Sequence, residues 1–212
     1  NDTVKYLEDT TYIDIPVSDL LQNDVDIEHD ALVYGGIETP ASVGVIEQLN
    51  DTTLRYTPLA NYDGTDSFTY SVGDGLANSS ATCTLEAIGV NDAPVIAVAN
   101  GSYSTDEDTD IVIPFTISDF ESGSSDLSVI AATGDDSIVT TDGMTITNFG
   151  DGTGEVRIEP QADANGSVTI TLKVSDGEAQ SHDDFTLTVR PTQDAPIAAN
   201  DKVYVFYGSR SE

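Results

Sequence analysis

The run Val90-Asn91-Asp92-Ala93-Pro94 recurs as Gln193-Asp194-Ala195-Pro196, about one hundred residues further on, and divides the chain into two similar halves and a short tail. An Asx-Asp-Ala-Pro run does not suit the inside of a strand or helix. Proline has no backbone N–H and pushes the residue before it towards an extended conformation. Asn and Asp add oxygen ligands and local hydrogen bonds to the same segment. The connector is therefore extended, acidic and short, which points to two stacked modules with a cation at the joint.

Other landmarks keep the same order in both halves. Glu8-Asp9-Thr10 returns as Glu107-Asp108-Thr109, Pro16 as Pro114, Pro58 through Asp63-Gly64 as Pro160 through Asn165-Gly166, and Asp74-Gly75 as Asp176-Gly177. A period of that length with every landmark in register is a tandem repeat. Between the landmarks apolar residues alternate: Ile13, Ile15 and Val17; Phe68, Tyr70 and Val72; Ile111, Ile113, Phe115 and Ile117; Val168, Ile170, Leu172 and Val174. Period two marks half-buried strands, and a sustained 3.6-residue period is missing, so almost no helix is expected. About seven short strands per repeat, separated by turn signals, make the expected fold all-β: tandem Greek-key β-sandwiches over 1–93 and 94–195. Residues 196–212 read as the start of a third repeat or a tail.

Charge narrows the function classes. The chain has 38 acidic and 7 basic residues, a formal net charge of −31. Phosphate would be repelled, which excludes ordinary nucleic-acid binding. No apolar run is long enough to cross a membrane, and the fragment reads as part of a longer secreted chain. Cys83, the single cysteine, lies in an alternating run on the side of Leu85 and reads as an inert buried thiol. The two histidines, His29 and His182, stand in different repeats and read as exposed loop residues. With no Cys/His cluster, and with Gly150-Asp151-Gly152-Thr153-Gly154 reading as a hairpin turn, the chain is not expected to be an enzyme.

The acids fall in patterns suited to a hard cation. Asn23-Asp24-Val25-Asp26-Ile27-Glu28-His29-Asp30 places an acid at every second position, next to an acidic linker. Ca²⁺ takes six to eight oxygens in flexible geometry, from carboxylates, amides, carbonyls and water. The expected cofactor is Ca²⁺.

Glu-Asp-Thr before the second strand, the alternating acid loop after it, the segment Asn61-Tyr62-Asp63-Gly64 through Val72-Gly73-Asp74-Gly75, and the Asn-Asp-Ala-Pro linker together resemble the cadherin-like repeats of large bacterial surface adhesins. The resemblance covers residues 1–196. It implies end-to-end sandwiches with Ca²⁺ at the junctions and neighbouring repeats as partners, in an extracellular or cell-surface location. It implies ligands at the base of the first unit (Glu8, Asn61, Asp63), in the linker (Asn91, Asp92) and at the top of the second (Asp119, Glu121, Asp176). It also implies a top site on the first unit (Asp24, Asp26, Glu28, Asp30, Asp74) and a base site on the second (Glu107, Asp163, Asp194). Phe120-Glu121-Ser122 replaces the denser acid alternation of unit one, so fewer ions are expected there. The expected role is a calcium-stiffened, non-catalytic stalk. The alternatives are homophilic adhesion between like modules and calcium-dependent binding of cell-surface glycans, for which Tyr34, Tyr62 and Tyr103 are the candidate platforms.

Overall fold

The computed structural model describes residues 1–194, so the expected third-repeat start at 196–212 lies outside the described residues. The chain divides into two compact units, the first running from Asn1 to Asp92 and the second beginning at Ala93.

Unit 1 carries β1 (Asp2–Leu7), β2 (Ile13–Pro16), a four-residue helix α1 (Val17–Leu20), β3 (Val33–Thr39), β4 (Val45–Asn50), β5 (Thr53–Thr57), β6 (Thr65–Gly73) and β7 (Asn78–Ile88). One sheet has the order β1-β7-β6-β3 and the other β2-β5-β4. β1 lies parallel to β7, from Asp2 opposite Cys83 to Leu7 opposite Ile88, while β6 and β7 form an antiparallel hairpin. The alternation puts Phe68, Tyr70, Leu54, Tyr56, Cys83 and Leu85 into the core at 1% exposure or less. Fully burying one such apolar side chain contributes about 1.5–3 kcal/mol. Val17 departs from the expected strand. It is buried, but it opens α1 directly after Pro16, whose fixed φ suits the residue flanking a helix start.

Unit 2 carries β8 (Val95–Val98), β9 (Ser102–Asp106), β10 (Ile111–Ser118), β11 (Ser128–Thr133), a 3₁₀ turn (Thr141–Gly143), β12 (Met144–Asn148), β13 (Thr153–Ile158), β14 (Gly166–Ser175) and β15 (Gln180–Arg190). Its sheets are β12-β13-β10-β8 and β11-β14-β15-β9. The parallel pair β9 and β15 repeats the pairing of β1 with β7. Pro114 sits within β10 because pairing with β8 starts only at Phe115, leaving no ladder bond for the missing N–H to break. His182 lies on β15 rather than in a loop, exposed on the outer face.

The two cores differ in chemistry. Unit 1 is tyrosine-rich: Tyr6 stands edge-on to Tyr56 at 5.8 Å between ring centroids, and Tyr34 packs on Tyr70 at 5.9 Å. Unit 2 is mainly aliphatic around Phe115 and Phe185.

Candidate metal sites at the ends of the sheets

Strand register places each loop at one end of its unit. In unit 1, Leu7 pairs with Ile88, and Thr65 pairs with Glu86. Glu8, the 58–64 turn and the segment after β7 are therefore all at one end, the base. β6 then runs eight residue steps to Gly73, about 26 Å at roughly 3.3 Å per residue, and Val33 opposite Gly73 brings the 21–32 loop to that far end, the top.

At the base of unit 1, Glu8 is 1% exposed. Its Oε1 accepts a hydrogen bond from the Val90 N–H at 2.5 Å, while Oε2 is shielded from solvent and has no hydrogen-bond partner among the described residues. Such an orphaned buried acceptor bears its desolvation penalty unrelieved. Asn61 adopts φ 54°, a left-handed conformation that Asn tolerates better than most residues, and its Nδ2 donates to Asp92 Oδ2 at 2.7 Å. A methyl group added at Gly89 would stand 3.7 Å from Asp63 Cβ and 4.0 Å from Glu8 Oε1, so the chain after β7 passes against both acids. Asn91 Nδ2 turns back to the Asp92 carbonyl. Glu8, Asn61, Asp63 and Asp92 thus gather at one end.

The base of unit 2 is built the same way with two reciprocal exchanges, Asp163 for Asn61 and Asn165 for Asp63. Glu107 is 5% exposed, and its Oε1 accepts from the Thr192 N–H and hydroxyl. Asp163 stands where Asn61 stood and has φ 57°. A carboxylate thus replaces the amide. Asp108, Asp163 and Asp194 offer oxygens that all lie within 4.8 Å of one another. All three are exposed, yet desolvation by the surrounding chain, and then the neighbouring charges of Asp163, Glu107 and Asp108, raise the Asp194 carboxyl above its ordinary range. Asp108 was missed as a candidate. Its signal was the Glu-Asp pair, of which the buried Glu faces inward and the Asp completes the cluster.

At the top of unit 1, Asp24, Asp26 and Asp74 line one recess of about 230 Å³. Asp26 Oδ1 also accepts from the Asp30 N–H, tying Asp30 into the same loop. Glu28 is exposed on that loop. Asp74 Oδ1 accepts from the N–H groups of Leu76 and Ala77, which lowers its pKa and makes it in part a turn residue. Sequence reasoning missed Asp2 and Tyr70 here. The buried Tyr70 hydroxyl lies 2.7 Å from Asp2 Oδ2, 2.8 Å from the Leu20 carbonyl and 3.4 Å from Asp24 Oδ2.

At the top of unit 2, Ser128 opposite Ser175 brings the 119–127 loop to the end where Asp176 lies. Asp119 Oδ2 accepts from the Ser122 N–H, and Oδ1 is buried without a hydrogen-bond partner among the described residues. Asp176 Oδ1 caps the turn through the N–H groups of Glu178 and Ala179. Glu121 is exposed on the same loop.

The other candidates resolve as packing. Tyr34 and Tyr103 are half-buried against Tyr70 and Phe185, and the Tyr62 hydroxyl donates to the Thr65 carbonyl. Cys83 is fully buried, and burial, then the nearby Asp2, push its thiol up to about 12.

Residues 1–87 match the family model described as the cadherin-like domain, and residues 91–190 match the bacterial Ig domain. The chain is a tandem of a cadherin-like domain and a bacterial Ig domain. Both are β-sandwich repeat modules, of families that are typically non-catalytic and typically extracellular or surface-exposed. No curated protein matches the chain. Among solved structures it is similar to an endo-fucoidan hydrolase of glycoside hydrolase family 107 (18% identity, TM-score 0.35, 91% of this chain and 28% of that one). It is similar also to domains 1–6 of the surface layer protein SbsC (17%, 0.42, 77% and 20%) and to titin domains Z1Z2 in complex with telethonin (9%, 0.39, 91% and 94%). The chain thus spans under a third of the first two, and at these scores the likeness carries no argument about function. Among the described residues no helix is long and apolar enough to cross a membrane, which says nothing of a β-barrel.

Proposed function

We propose that this cadherin-like/bacterial Ig tandem is a calcium-binding, non-catalytic spacer of a bacterial extracellular adhesion protein. The observation that carries the reading is Glu8: a carboxylate held at the base of unit 1 by the Val90 N–H, its second oxygen buried and without a hydrogen-bond donor among the described residues, where the chain at Gly89 passes against both Glu8 and Asp63. A hard cation satisfies such an oxygen where a neutral donor is missing. Glu8, Asp63, Asp92 and the Asn61 amide oxygen are the residues that would hold it; Glu107, Asp108, Asp163 and Asp194 would do the same in unit 2. When bound, the ion supplies positive charge that offsets carboxylate repulsion. Because Asp92 closes unit 1, a metal held there would also restrain the linker.

Extracellular modules bind Ca²⁺ with dissociation constants of about 10⁻⁴ to 10⁻³ M. At ten to a hundred times that constant one site adds about 1.4–2.7 kcal/mol, appreciable against a domain stability of roughly 5–15 kcal/mol. Calorimetric titration of the protein with Ca²⁺ tests the reading, beside scattering in calcium and in chelator. Glu8→Gln keeps the acceptor for Val90 and removes the charge, so it should lose one binding event and part of any calcium-dependent gain in maximum dimension. If wild type binds no calcium, or Glu8→Gln binds as wild type does, the reading fails.

A further inference from the structure

The edges of the sheets are treated differently in the two units. An edge strand presents unpaired N–H and C=O groups, and proteins guard it with charge, proline, bulges or brevity. In unit 1 all four edges are guarded: β1 carries Lys5, β2 carries Asp14 and Pro16, β3 has two register shifts, and β4 carries Glu47 and a third shift. In unit 2, β9 carries Asp106, β8 is four residues long, and β12 turns Thr145 and Thr147 outward. β12 also lacks charge, proline and a register shift, but its outward side chains are polar; among the described edges of unit 2, β11 alone sets a large apolar side chain outward at its centre.

β11, Ser-Val-Ile-Ala-Ala-Thr, is an edge strand of six residues with no charge, proline or register shift against β14. Val129 and Ala131 pack on the core, while Ile130 points outward at 62% exposure. The strand is therefore anchored on one face and open along its outer edge, with an apolar side chain in the middle. Its flanks are acidic: Asp126 precedes it, and Asp135 and Asp136 follow, all exposed. Asp135 is held ionised, its pKa lowered by bonds from the Ser137 hydroxyl and N–H.

We infer that the β11 edge is a docking site for an extended peptide with an apolar, β-favouring centre and basic residues at both ends. Main-chain bonds to β11 would supply the affinity by strand addition, Ile130 would pack beside the central residue, and the acids would select the cationic ends. Six residues at about 3.3 Å each set the length of the paired stretch. Charge decides against a second copy of this chain as occupant. A symmetric antiparallel β11–β11 pair sets Ser128 opposite Thr133 and hence Asp126 opposite Asp135, carboxylate against carboxylate at both ends, in a chain already carrying −31.

The test is fluorescence anisotropy of a labelled peptide of alternating valine and threonine with lysine pairs at both ends, titrated with the whole chain. Two companion peptides share its length: one keeps the lysines and has a central proline, the other ends in glutamates. Hydrogen exchange locates the contact. The expected result is binding of the first peptide only, slowed exchange at Ser128–Thr133, and about tenfold weaker binding to Ile130→Lys, a surface change that leaves the core intact. Equal binding of the proline peptide would mean charge attraction alone and would overturn the proposal, as would protection elsewhere or no binding. Sedimentation showing a dimer that Ile130→Lys dissociates would overturn it in favour of a second copy.

Discussion

The exchange of Asn61 for Asp163 between the two bases makes a reciprocal experiment possible. Asn61→Asp gives unit 1 the unit 2 residue at this one position while keeping Asp63, and the backbone does not object, because the two positions share φ values of 54° and 57° and both residue types tolerate that region. The substitution removes the 2.7 Å bond from Asn61 Nδ2 to Asp92. A hydrogen bond to a charged group contributes about 1.5–3 kcal/mol net, and the half-exposed setting argues for the lower end. A new carboxylate beside Asp92 adds repulsion of about 1 kcal/mol in a water-like dielectric and more where water is excluded. Together these predict a loss of about 2–4 kcal/mol in unit 1 in chelator at low salt. Calcium should then recover more stability in the variant than in wild type, since the added carboxylate is a further ligand. Asp163→Asn should do the opposite in unit 2: a more stable chelated state and a smaller response to calcium. Urea unfolding of the whole chain is the assay, with tyrosine fluorescence reporting mainly unit 1, which holds six of the nine tyrosines. If Asn61→Asp loses the same stability with and without calcium, the base of unit 1 is not a cation site and the reasoning fails.

Asp66 predicts an acid-sensitive unit 1. Burial opposes its charge, yet the N–H groups of Gly44, Ser42, Ser67 and Val43 hold its pKa down to about 2, and the Tyr56 hydroxyl donates as well. A carboxyl lowered from 3.8 contributes stability above about pH 4 and loses it as pH falls towards 2, a loss on the order of 1–2 kcal/mol. Asp66→Asn should remove at least that much at neutral pH, because an amide cannot accept from every donor, and should flatten the acid limb of the unit 1 melting curve; an unchanged limb would refute this. Cys83 should be labelled by a thiol reagent only as fast as unit 1 opens, so labelling that does not slow in stabilising conditions would contradict its burial.

The repeat and the strands were legible in the chain because they depend on local order: Phe68, Tyr70 and Val72 alternate, and all three are buried. Val17 was misassigned as strand because alternation continued through it, while Pro16 before it marked a helix start. The grouping of acids into a base and a top needed the register, since Glu8 reaches Val90 across 82 positions and Tyr70 reaches Asp2 across 68. Nothing local to Tyr70 distinguishes it from Phe68, yet its hydroxyl stands among two carboxylates and a carbonyl. The landmarks were common to both units, but the residues between them were not: Tyr56 and Tyr70 of unit 1 align with Ile158 and Leu172 of unit 2. That difference in core accompanies the match of one unit to cadherin-like domains and the other to bacterial Ig domains.

Counting acids could not separate those that the fold already satisfies from those that it leaves open. Asp66, Asp74, Asp135 and Asp151 accept bonds from nearby N–H or hydroxyl groups and have lowered pKa values. They are structural turn and loop residues, and metal is not needed to explain them. Among the described residues Glu8 Oε2 and Asp119 Oδ1 are buried without a hydrogen-bond partner, and Asp108, Asp163 and Asp194 lie together, where desolvation and then the neighbouring charges raise the Asp194 pKa. On chemistry alone these two groups should respond differently to calcium. Neutralising Asp74 or Asp151 should destabilise a turn equally in calcium and in chelator, whereas neutralising Glu8 or Asp163 should matter mainly through the difference between the two. A net charge of −31 predicts neither outcome, because the distinction lies in where each carboxylate finds its donors.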